Sequence, residues 1–298
     1  MTNAITTTGL TKYYGKVPGI IDLDLEVTIG EVFGFIGPNG AGKSTTIRTL
    51  LNFLHPTSGS AQILGLDIAV DSIEIRRRTG YLPGDLQLYP AMTGRELLLY
   101  FANLRKTDTT VRTEELAERF DLDLDRQIKD YSTGNRQKVG LVNAFMHDPE
   151  LLILDEPTGG LDPLMQQEFQ DLINETRDAG KTVFLSSHIL PEVDRVADRV
   201  AIVRESRLIA VDTLVGFKAK SAATLTIQFA TEVDAGMFDR LDSVRSTTIR
   251  NGGTVVHLTV EGTLDSVIKL ASQYEVVSLA TESEDLDEVF LSYYEGTP

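Results

Sequence analysis

One stretch near the amino terminus restricts the possible fold of this 298-residue chain more than any other. Residues 32–36 form a short apolar run, which is typical of a central parallel strand. The residues that follow match the pattern G-x-x-x-x-G-K-[ST], in which backbone N–H groups and a helix N-terminus form a receptor for a polyphosphate. The predicted phosphate-binding residues are Gly37, Pro38, Asn39, Gly40, Ala41, Gly42, Lys43, Ser44 and Thr45.

The chemistry of this loop gives two of its residues specific roles. Lys43 is expected to reach the β- and γ-phosphates of a nucleoside triphosphate, and Ser44 is expected to ligate Mg²⁺. A glycine-rich turn that binds nothing is the alternative. The strand before the loop and the amphipathic helix after it, with Ile47, Leu50, Leu51 and Leu54, favour the phosphate-binding interpretation.

The overall charge argues against a nucleic-acid-binding protein. The chain has 28 basic and 44 acidic residues, and its net charge of −16 is the opposite of what phosphate backbones attract. It has no cysteine, which excludes a disulfide framework and fits a reducing cytoplasm. Residues 1–9 do not resemble a signal peptide, and no apolar run approaches the roughly 20 residues that cross a bilayer. Any membrane role is therefore expected to depend on a partner.

The order of predicted elements indicates an α/β fold with additions. Alternating strands and turns precede the phosphate loop, which predicts an antiparallel sheet there. A helical insertion is expected at about residues 90–150, with a capping box at Thr93–Glu96 and further helices at 113–120 and 136–146.

Two carboxylates follow the second strongly apolar strand, residues 151–154. Asp155 and Glu156 are thereby predicted at the carboxyl edge of a parallel sheet, where ligands bind. Successive strand residues point to opposite faces, so the two acids are expected to have different roles. Asp155 is the candidate second anchor for Mg²⁺, and Glu156 is the candidate that orients and deprotonates an attacking water.

Several further residues have both a structural and a functional interpretation from sequence. Tyr14 could stack on a base or be an ordinary core or surface tyrosine. Ser132 and Gly134 could bind an anion or form a routine helix cap, and Asp162 could simply cap the helix that follows it. His188, at the end of a buried strand beside that of Asp155, is expected to contact a phosphate.

These motifs, in this order, resemble the ATP-binding cassette ATPases over residues 4 to about 216. The resemblance implies a P-loop (RecA-like) parallel-sheet core with an antiparallel β subdomain and a helical insertion. It implies ATP and Mg²⁺ as ligands, an adenine-stacking Tyr14, a catalytic Glu156 and a switch His188. Residues 131–135 resemble the family signature and 160–162 its D-loop. In the family the signature of one subunit closes on the phosphate loop of another, so a homodimer is expected.

Two positions depart from the family pattern. The signature reads YSTGN, with Thr133 and Asn135 where Gly and Gln are usual. The Q-loop glutamine is replaced by Gly84, which has no side chain to sense Mg²⁺ or water. Asp85 or Gln87 could substitute for it.

The chain is expected to divide into a cassette, residues 1–217, and a smaller α+β domain, residues 218–298. The second part shows the order β-α-β-β-α-β, which predicts a ferredoxin-like fold, and residues 285–294 suggest a final amphipathic helix. It contains no catalytic constellation, so a regulatory, dimerisation or partner-contact role is expected. A cassette with such a tail resembles the ATP-binding subunits of bacterial multidrug and antibiotic exporters.

Two functions compete at this stage. The first is an ATPase, cytoplasmic and peripheral on the inner face of the membrane, that powers export through a separately encoded permease. The second is a soluble cassette ATPase that acts on ribosomes or DNA. The single cassette, the short separation of Lys43 from Asp155 and the acidic charge favour the first. A degraded, purely structural cassette is disfavoured because Lys43, Asp155, Glu156 and His188 are all present.

Overall fold

A computed structural model describes residues 2–220 and 222–283 of the chain. The chain divides into two compact units, residues 1–211 and 212–298. The division falls a few residues before the boundary expected after residue 217. Within the described ranges, no helix combines the length and apolar character that a membrane crossing requires.

The first sheet of unit 1 is antiparallel, as predicted. Leu23, Leu25 and Val27 are buried, whereas Asp24 and Glu26 between them are exposed, because alternate strand residues face opposite sides. The strand order is β2-β1-β4-β5, with bounds β1 Asn3–Tyr14, β2 Val17–Thr28, β4 Ser58–Ile63 and β5 Leu66–Asp67.

The second sheet is the core of the unit. Its order is β10-β9-β3-β8-β7-β6, with bounds β3 Val32–Ile36, β6 Thr79–Leu82, β7 Leu151–Asp155, β8 Thr182–Ser187, β9 Arg199–Arg204 and β10 Arg207–Thr213. The pairs β3/β8, β3/β9, β7/β8 and β6/β7 are parallel. Strands β3, β7 and β8 are buried along their full lengths, and Phe33, Phe35 and Phe184 pack together between them and the first sheet. The carboxyl ends of β3, β7 and β8 therefore lie side by side.

The helices of unit 1 differ from expectation mainly at their ends. The helix after the phosphate loop ends at Leu50, so Leu51 and Leu54 lie beyond it. The capping box of Thr93 and Glu96 is present, and the next helix starts earlier than predicted, at Thr110. The bounds are α1 Lys43–Leu50, α2 Ser72–Arg78, α3 Gly94–Arg105, α4 Thr110–Arg119, α5 Thr133–Phe145, α6 Pro163–Asp178 and α7 Leu190–Asp194, with a 3₁₀ turn at Ile128–Asp130. Helices α3 to α5 separate β6 from β7 in sequence, which is the predicted insertion.

Unit 2 contains a four-stranded antiparallel sheet with its own apolar core. The order β12-β13-β11-β14 is that of the predicted β-α-β-β-α-β fold, although the first of its two helices is a 3₁₀ helix. The predicted helix at 285–294 lies outside the described residues. The bounds are α8 Leu214–Lys220, β11 Ala222–Phe229, 3₁₀ Ala235–Arg240, β12 Val244–Arg250, 3₁₀ Asn251–Gly253, β13 Val255–Glu261, α9 Asp265–Ala271 and β14 Val276–Ser283.

Candidate active site

The loop between β3 and α1 can be formed only with glycine at two positions. Gly42 has φ 107°, and a Cβ on it would lie 2.3 Å from the carbonyl oxygen of Gly19. A Cβ on Gly37 would lie 2.4 Å from the carbonyl oxygen of Val203. Both contacts are far shorter than carbon and oxygen allow. Gly37 and Gly42 are therefore required for the loop to adopt this conformation.

Helix α1 begins without a cap. Its N-cap residue, Gly42, makes no side-chain hydrogen bond to the first turn. The backbone N–H groups of Lys43, Ser44 and Thr45 have no acceptor among the described residues. Unpaired N–H groups and the positive end of the helix dipole together create a site for an anion.

The ammonium group of Lys43 lies inside the curl. The residue is 6% exposed, and its Nζ donates hydrogen bonds to the carbonyl oxygens of Gly37 at 2.7 Å and Pro38 at 3.3 Å. Its Nζ also lies 3.5 Å from Oε1 of Glu156. A buried cation is thus held between the loop and an acid that directly follows β7.

A cavity of about 280 Å³ runs along the loop. Tyr14 lies at its border, 46% exposed, with its hydroxyl 3.4 Å from Oγ1 of Thr45 and Nζ of Lys12 5.8 Å from its ring centre. The ring is therefore available as a flat surface beside an anion site. The lining residues predicted from sequence are Tyr14, Asn39, Gly40, Gly42, Lys43, Ser44, Thr45 and Glu156.

The carboxylate of Asp155 is buried and fixed at the end of β7. The residue is 1% exposed, and Oγ of Ser186 on β8 donates a 2.5 Å hydrogen bond to its Oδ1. Burial, followed by the negative charge of Asp155, raises the pKa of Tyr81 to about 12, so that phenol stays neutral beside the carboxylate at physiological pH. Ser186 was not identified from sequence. Its opposition to Asp155 follows from the register of two parallel strands.

The backbone turns sharply at Glu156. Its φ of 51° is a left-handed conformation that costs a non-glycine residue free energy. The N–H of Glu156 donates to the carbonyl oxygen of Ser186 at 3.1 Å, and its carboxylate oxygen Oε1 lies 3.2 Å from Nδ1 of His188. The turn therefore brings Glu156 between Lys43 and His188, at the mouth of the phosphate loop.

Gln137 supports this turn from the other side. Its Nε2 on α5 donates to the carbonyl oxygens of Pro157 at 2.8 Å and of Glu156 at 3.4 Å. A glutamine within a helix carries no sequence signal of such a contact, which explains why it was missed. Helix α5 is thereby attached to the backbone that carries Glu156.

Three other predicted residues, Ser132, Gly134 and Asp162, lie at helix starts and do not line the cavity. Oγ of Ser132 accepts from the N–H of Asn135 at 3.1 Å at the start of α5. Oδ1 of Asp162 accepts from the N–H groups of Leu164 and Met165, both at 3.0 Å, at the start of α6. A Cβ on Gly134 would lie 2.7 Å from the carbonyl oxygen of Gly160, so the two loops are in contact.

The glycine at the Q-loop position lies against Asp155. A Cβ on Gly84 would be 3.1 Å from Oδ2 and 3.2 Å from Cγ of Asp155. Asp85 is exposed, and Gln87 lies 3.5 Å from it while lining a different groove. Neither side chain lines the cavity beside the phosphate loop.

The sequence matches the family described as ABC transporter over residues 20–159. It is 32% identical over 303 residues to the bacitracin transport ATP-binding protein BcrA of Bacillus licheniformis, with 99% of each chain covered. It is 34% identical over 304 residues to the daunorubicin/doxorubicin resistance ATP-binding protein DrrA of Streptomyces peucetius, covering 98% of this chain and 92% of that one.

The fold also has solved counterparts. A structure described as an ATP-binding subunit of an ABC transporter is 32% identical, with a TM-score of 0.67. The superposition covers 72% of this chain and 92% of that chain.

Proposed function

The chain belongs to the ABC transporter family as an ATP-hydrolysing subunit, and from that premise we propose that it drives export of a drug, an antibiotic or a lipid through a separate membrane permease. Relatives that match nearly the whole chain are named for bacitracin transport and for daunorubicin/doxorubicin resistance. Those names and the net charge of −16 do not favour the alternative, action on ribosomes or DNA. The expected location is the cytoplasmic face of the membrane.

ATP binds along the cavity of the phosphate loop. The N–H groups at the start of α1 and the ammonium of Lys43 receive the phosphates, and the ring of Tyr14 stacks on adenine. The uncapped first turn and the exposed ring at the cavity border support this orientation.

Magnesium would be held by Ser44 and Asp155. Among the described residues no group of three or more acidic, His or Cys side chains could hold a metal by itself. A hydroxyl, a buried carboxylate and phosphate oxygens fit Mg²⁺, which prefers oxygen ligands and few protein groups. The ion would neutralise phosphate charge when bound.

Glu156 is the residue proposed to activate water. A water held by its carboxylate gives a proton to that carboxylate and attacks the γ-phosphorus, the bond to the bridging oxygen breaks, and ADP and phosphate leave. The single observation that carries this role is the position of its Oε1, 3.5 Å from Nζ of Lys43 and 3.2 Å from Nδ1 of His188. Lys43 then balances charge on the phosphates, and His188 fixes the carboxylate.

A second copy of the chain completes each site. Ser132, Gly134 and Asp162 lie at exposed or half-exposed helix starts away from the cavity lining of their own chain. In a homodimer these residues would face the triphosphate of the other copy. Unit 2 is proposed to have a regulatory or dimer-stabilising role.

The Glu156→Gln substitution tests the hydrolytic role. The amide keeps the size of the side chain but cannot accept the proton, so ATP binding is retained and turnover falls by about a thousandfold or more. Turnover is measured by phosphate release, and dimer formation with Mg-ATP by sedimentation. Glu118→Gln, an exposed glutamate on α4, is the matched control and keeps parental turnover. Hydrolysis by Glu156→Gln at the parental rate would remove the proposed role.

The permease is proposed to dock in a groove of about 260 Å³ between the helical insertion and the core. Aromatic side chains lie along it, with Phe53 51% exposed and packed on Tyr81, and Phe101 on α3 opposite. A groove lined by partly exposed aromatic side chains suits a folded segment of another protein.

Substitution of Phe53 by Asp tests this docking. The variant is expected to hydrolyse ATP normally as an isolated subunit, since Phe53 is absent from the cavity lining. A co-purifying integral membrane protein, identified from detergent-solubilised membranes, should be lost. Ile73→Asp, on an exposed position of α2, is the control. Equal recovery of the permease with parent and Phe53→Asp would contradict the docking site.

A further inference from the structure

One carboxylate outside the cavity connects the two segments that carry Glu156 and His188. Glu192 lies on α7, and its Oε2 accepts hydrogen bonds from Oγ1 of Thr158 at 2.6 Å and from Oγ of Ser187 at 3.2 Å. Thr158 is two residues after Glu156, and Ser187 directly precedes His188. The carboxylate thus bridges two strand ends that also meet through Glu156 and His188.

Both donors are buried. Thr158 is 7% and Ser187 is 2% exposed, so each hydroxyl requires a partner in the protein. Ser187 has one proton, for which the carbonyl oxygen of Ile189 at 3.2 Å competes. The carboxylate is the stronger acceptor because it is charged. The N–H of Ile189 donates to the Ser187 oxygen at 2.9 Å, which fixes that hydroxyl from the other side.

The loop after β7 is therefore held at three successive residues by three different elements. The N–H of Glu156 is bound to β8, the carbonyl of Pro157 to Gln137 on α5, and the hydroxyl of Thr158 to Glu192 on α7. Glu156 is in a left-handed conformation, which persists only when its surroundings impose it. Loss of one of these three hydrogen bonds allows the carboxylate of Glu156 to move from its position.

We propose that Glu192 is a positioning residue for ATP hydrolysis. Its bonds to Thr158 and Ser187 keep the side chains of Glu156 and His188 in contact with each other. The proposal rests on the roles proposed above for those two residues. Glu192 does not line the nucleotide cavity. Its removal should therefore affect the chemical step and leave nucleotide affinity nearly unchanged.

Kinetics of Glu192→Ala and Glu192→Gln test this role. The alanine variant is expected to lose about tenfold in kcat, with KM for ATP changed by less than about twofold. Glutamine retains an oxygen that accepts both hydroxyl protons, so Glu192→Gln should recover most of kcat. Arg195→Ala, an exposed position one turn away, is the control and keeps parental kcat. A parental kcat in Glu192→Ala would overturn the proposal.

Substitutions of Thr158 provide a second, independent measurement. Thr158→Val removes the hydroxyl and should reproduce the loss, whereas Thr158→Ser should retain activity. The double variant Thr158→Val with Glu192→Ala should be no worse than Glu192→Ala alone, because the alanine already removes the bond to Thr158. Additive losses, or a fully active Thr158→Val, would overturn the proposal even if Glu192→Ala does not fold.

The Glu156→Gln variant distinguishes the two levels of the proposal. If Glu156→Gln hydrolyses ATP at the parental rate, the role proposed for Glu156 is wrong. Holding Glu156 in place then cannot affect hydrolysis. If Glu156→Gln is inactive while Glu192→Ala is fully active, the role of Glu156 stands and that of Glu192 is wrong.

Discussion

Helices α1 and α5 both begin at a motif predicted to bind phosphate, but their first turns are built differently. The N-cap of α1 is Gly42, which leaves the first N–H groups without partners among the described residues. The N-cap of α5 is Ser132, whose Oγ accepts from the N–H of Asn135. The start of α1 therefore leaves its N–H donors available to an anion. At the start of α5, one N–H donor is already used by the helix cap.

The cap on α5 does not prevent it from binding an anion. In the cap, the Ser132 oxygen acts as an acceptor, so its O–H proton remains available to a phosphate oxygen. Ser132 is exposed, whereas Lys43 is buried within its own loop. The difference fits the proposal above, in which α1 binds nucleotide in the single chain and α5 contributes only when a second molecule brings a triphosphate to its surface.

Among the variants that compare the two helix starts, the largest effect is expected from Lys43→Ala, which removes the cation from the α1 side. Charge-assisted hydrogen bonds contribute about 1.5 to 3 kcal/mol, so affinity for Mg-ATP should fall by about a hundredfold. Binding is measured on the monomer by calorimetry. Lys12→Ala, whose Nζ bonds the carbonyl oxygen of His55, is a lysine control with a much smaller loss. Parental affinity in Lys43→Ala would show that the curl does not need its cation.

A pair of variants at Ser132 examines the α5 side. Asp is as good an N-cap as Ser, so Ser132→Asp should retain stability. Its charge opposes a triphosphate, so ATP-dependent dimerisation and turnover should fall by about tenfold or more, while monomer affinity for ATP is unchanged.

Ser132→Ala serves as the comparison for the aspartate variant. It should cost about 1 kcal/mol of stability through the lost cap, with a smaller loss of dimerisation than Ser132→Asp. Stability is followed by urea unfolding and dimerisation by sedimentation. Normal dimerisation of Ser132→Asp would mean that Ser132 is only a cap.

The two helix starts also show what sequence can and cannot predict. The loop of α1 was predicted residue by residue because its glycine pattern reflects backbone geometry, as the φ of 107° at Gly42 shows. The order of elements and the position of Asp155 and Glu156 at a strand end follow from periodicity and were confirmed by the fold.

Contacts between distant segments were not predictable. No sequence pattern distinguishes Ser186, Gln137 or Glu192 from other strand and helix residues. Strand register and helix packing determine their hydrogen-bond partners. The boundaries of α1 and α4 were also wrong, because tertiary packing decides where a marginal helix ends. Residues whose role is local were found, and those whose role is to connect elements were missed.

A smaller effect is expected from Gly84→Gln, because Gly84 lies against Asp155. Restoring the family glutamine is expected to lower turnover by about fivefold, because the new Cβ lies 3.1 Å from an Asp155 carboxylate that Ser186 holds in place. Gly84→Ala adds the same Cβ without the amide and should lose a similar amount. Turnover above the parental rate in Gly84→Gln alone would show that a glutamine at this position can restore sensing of Mg²⁺ or water.

The smallest effect concerns the far end of α5, where His147 is partly buried with Nε2 3.3 Å from the carbonyl oxygen of Thr79. Burial, followed by the charge of Arg105, lowers the pKa of His147 from 6.5 to about 4. The unfolded state therefore binds the extra proton first, and stability falls as the pH drops below about 6.5. Between pH 7 and pH 6 the loss should be about 1 kcal/mol or less in urea unfolding.

His147→Gln should remove this component while leaving the Ser132 cap intact. An unchanged pH dependence in that variant would show that His147 is not the group responsible for it.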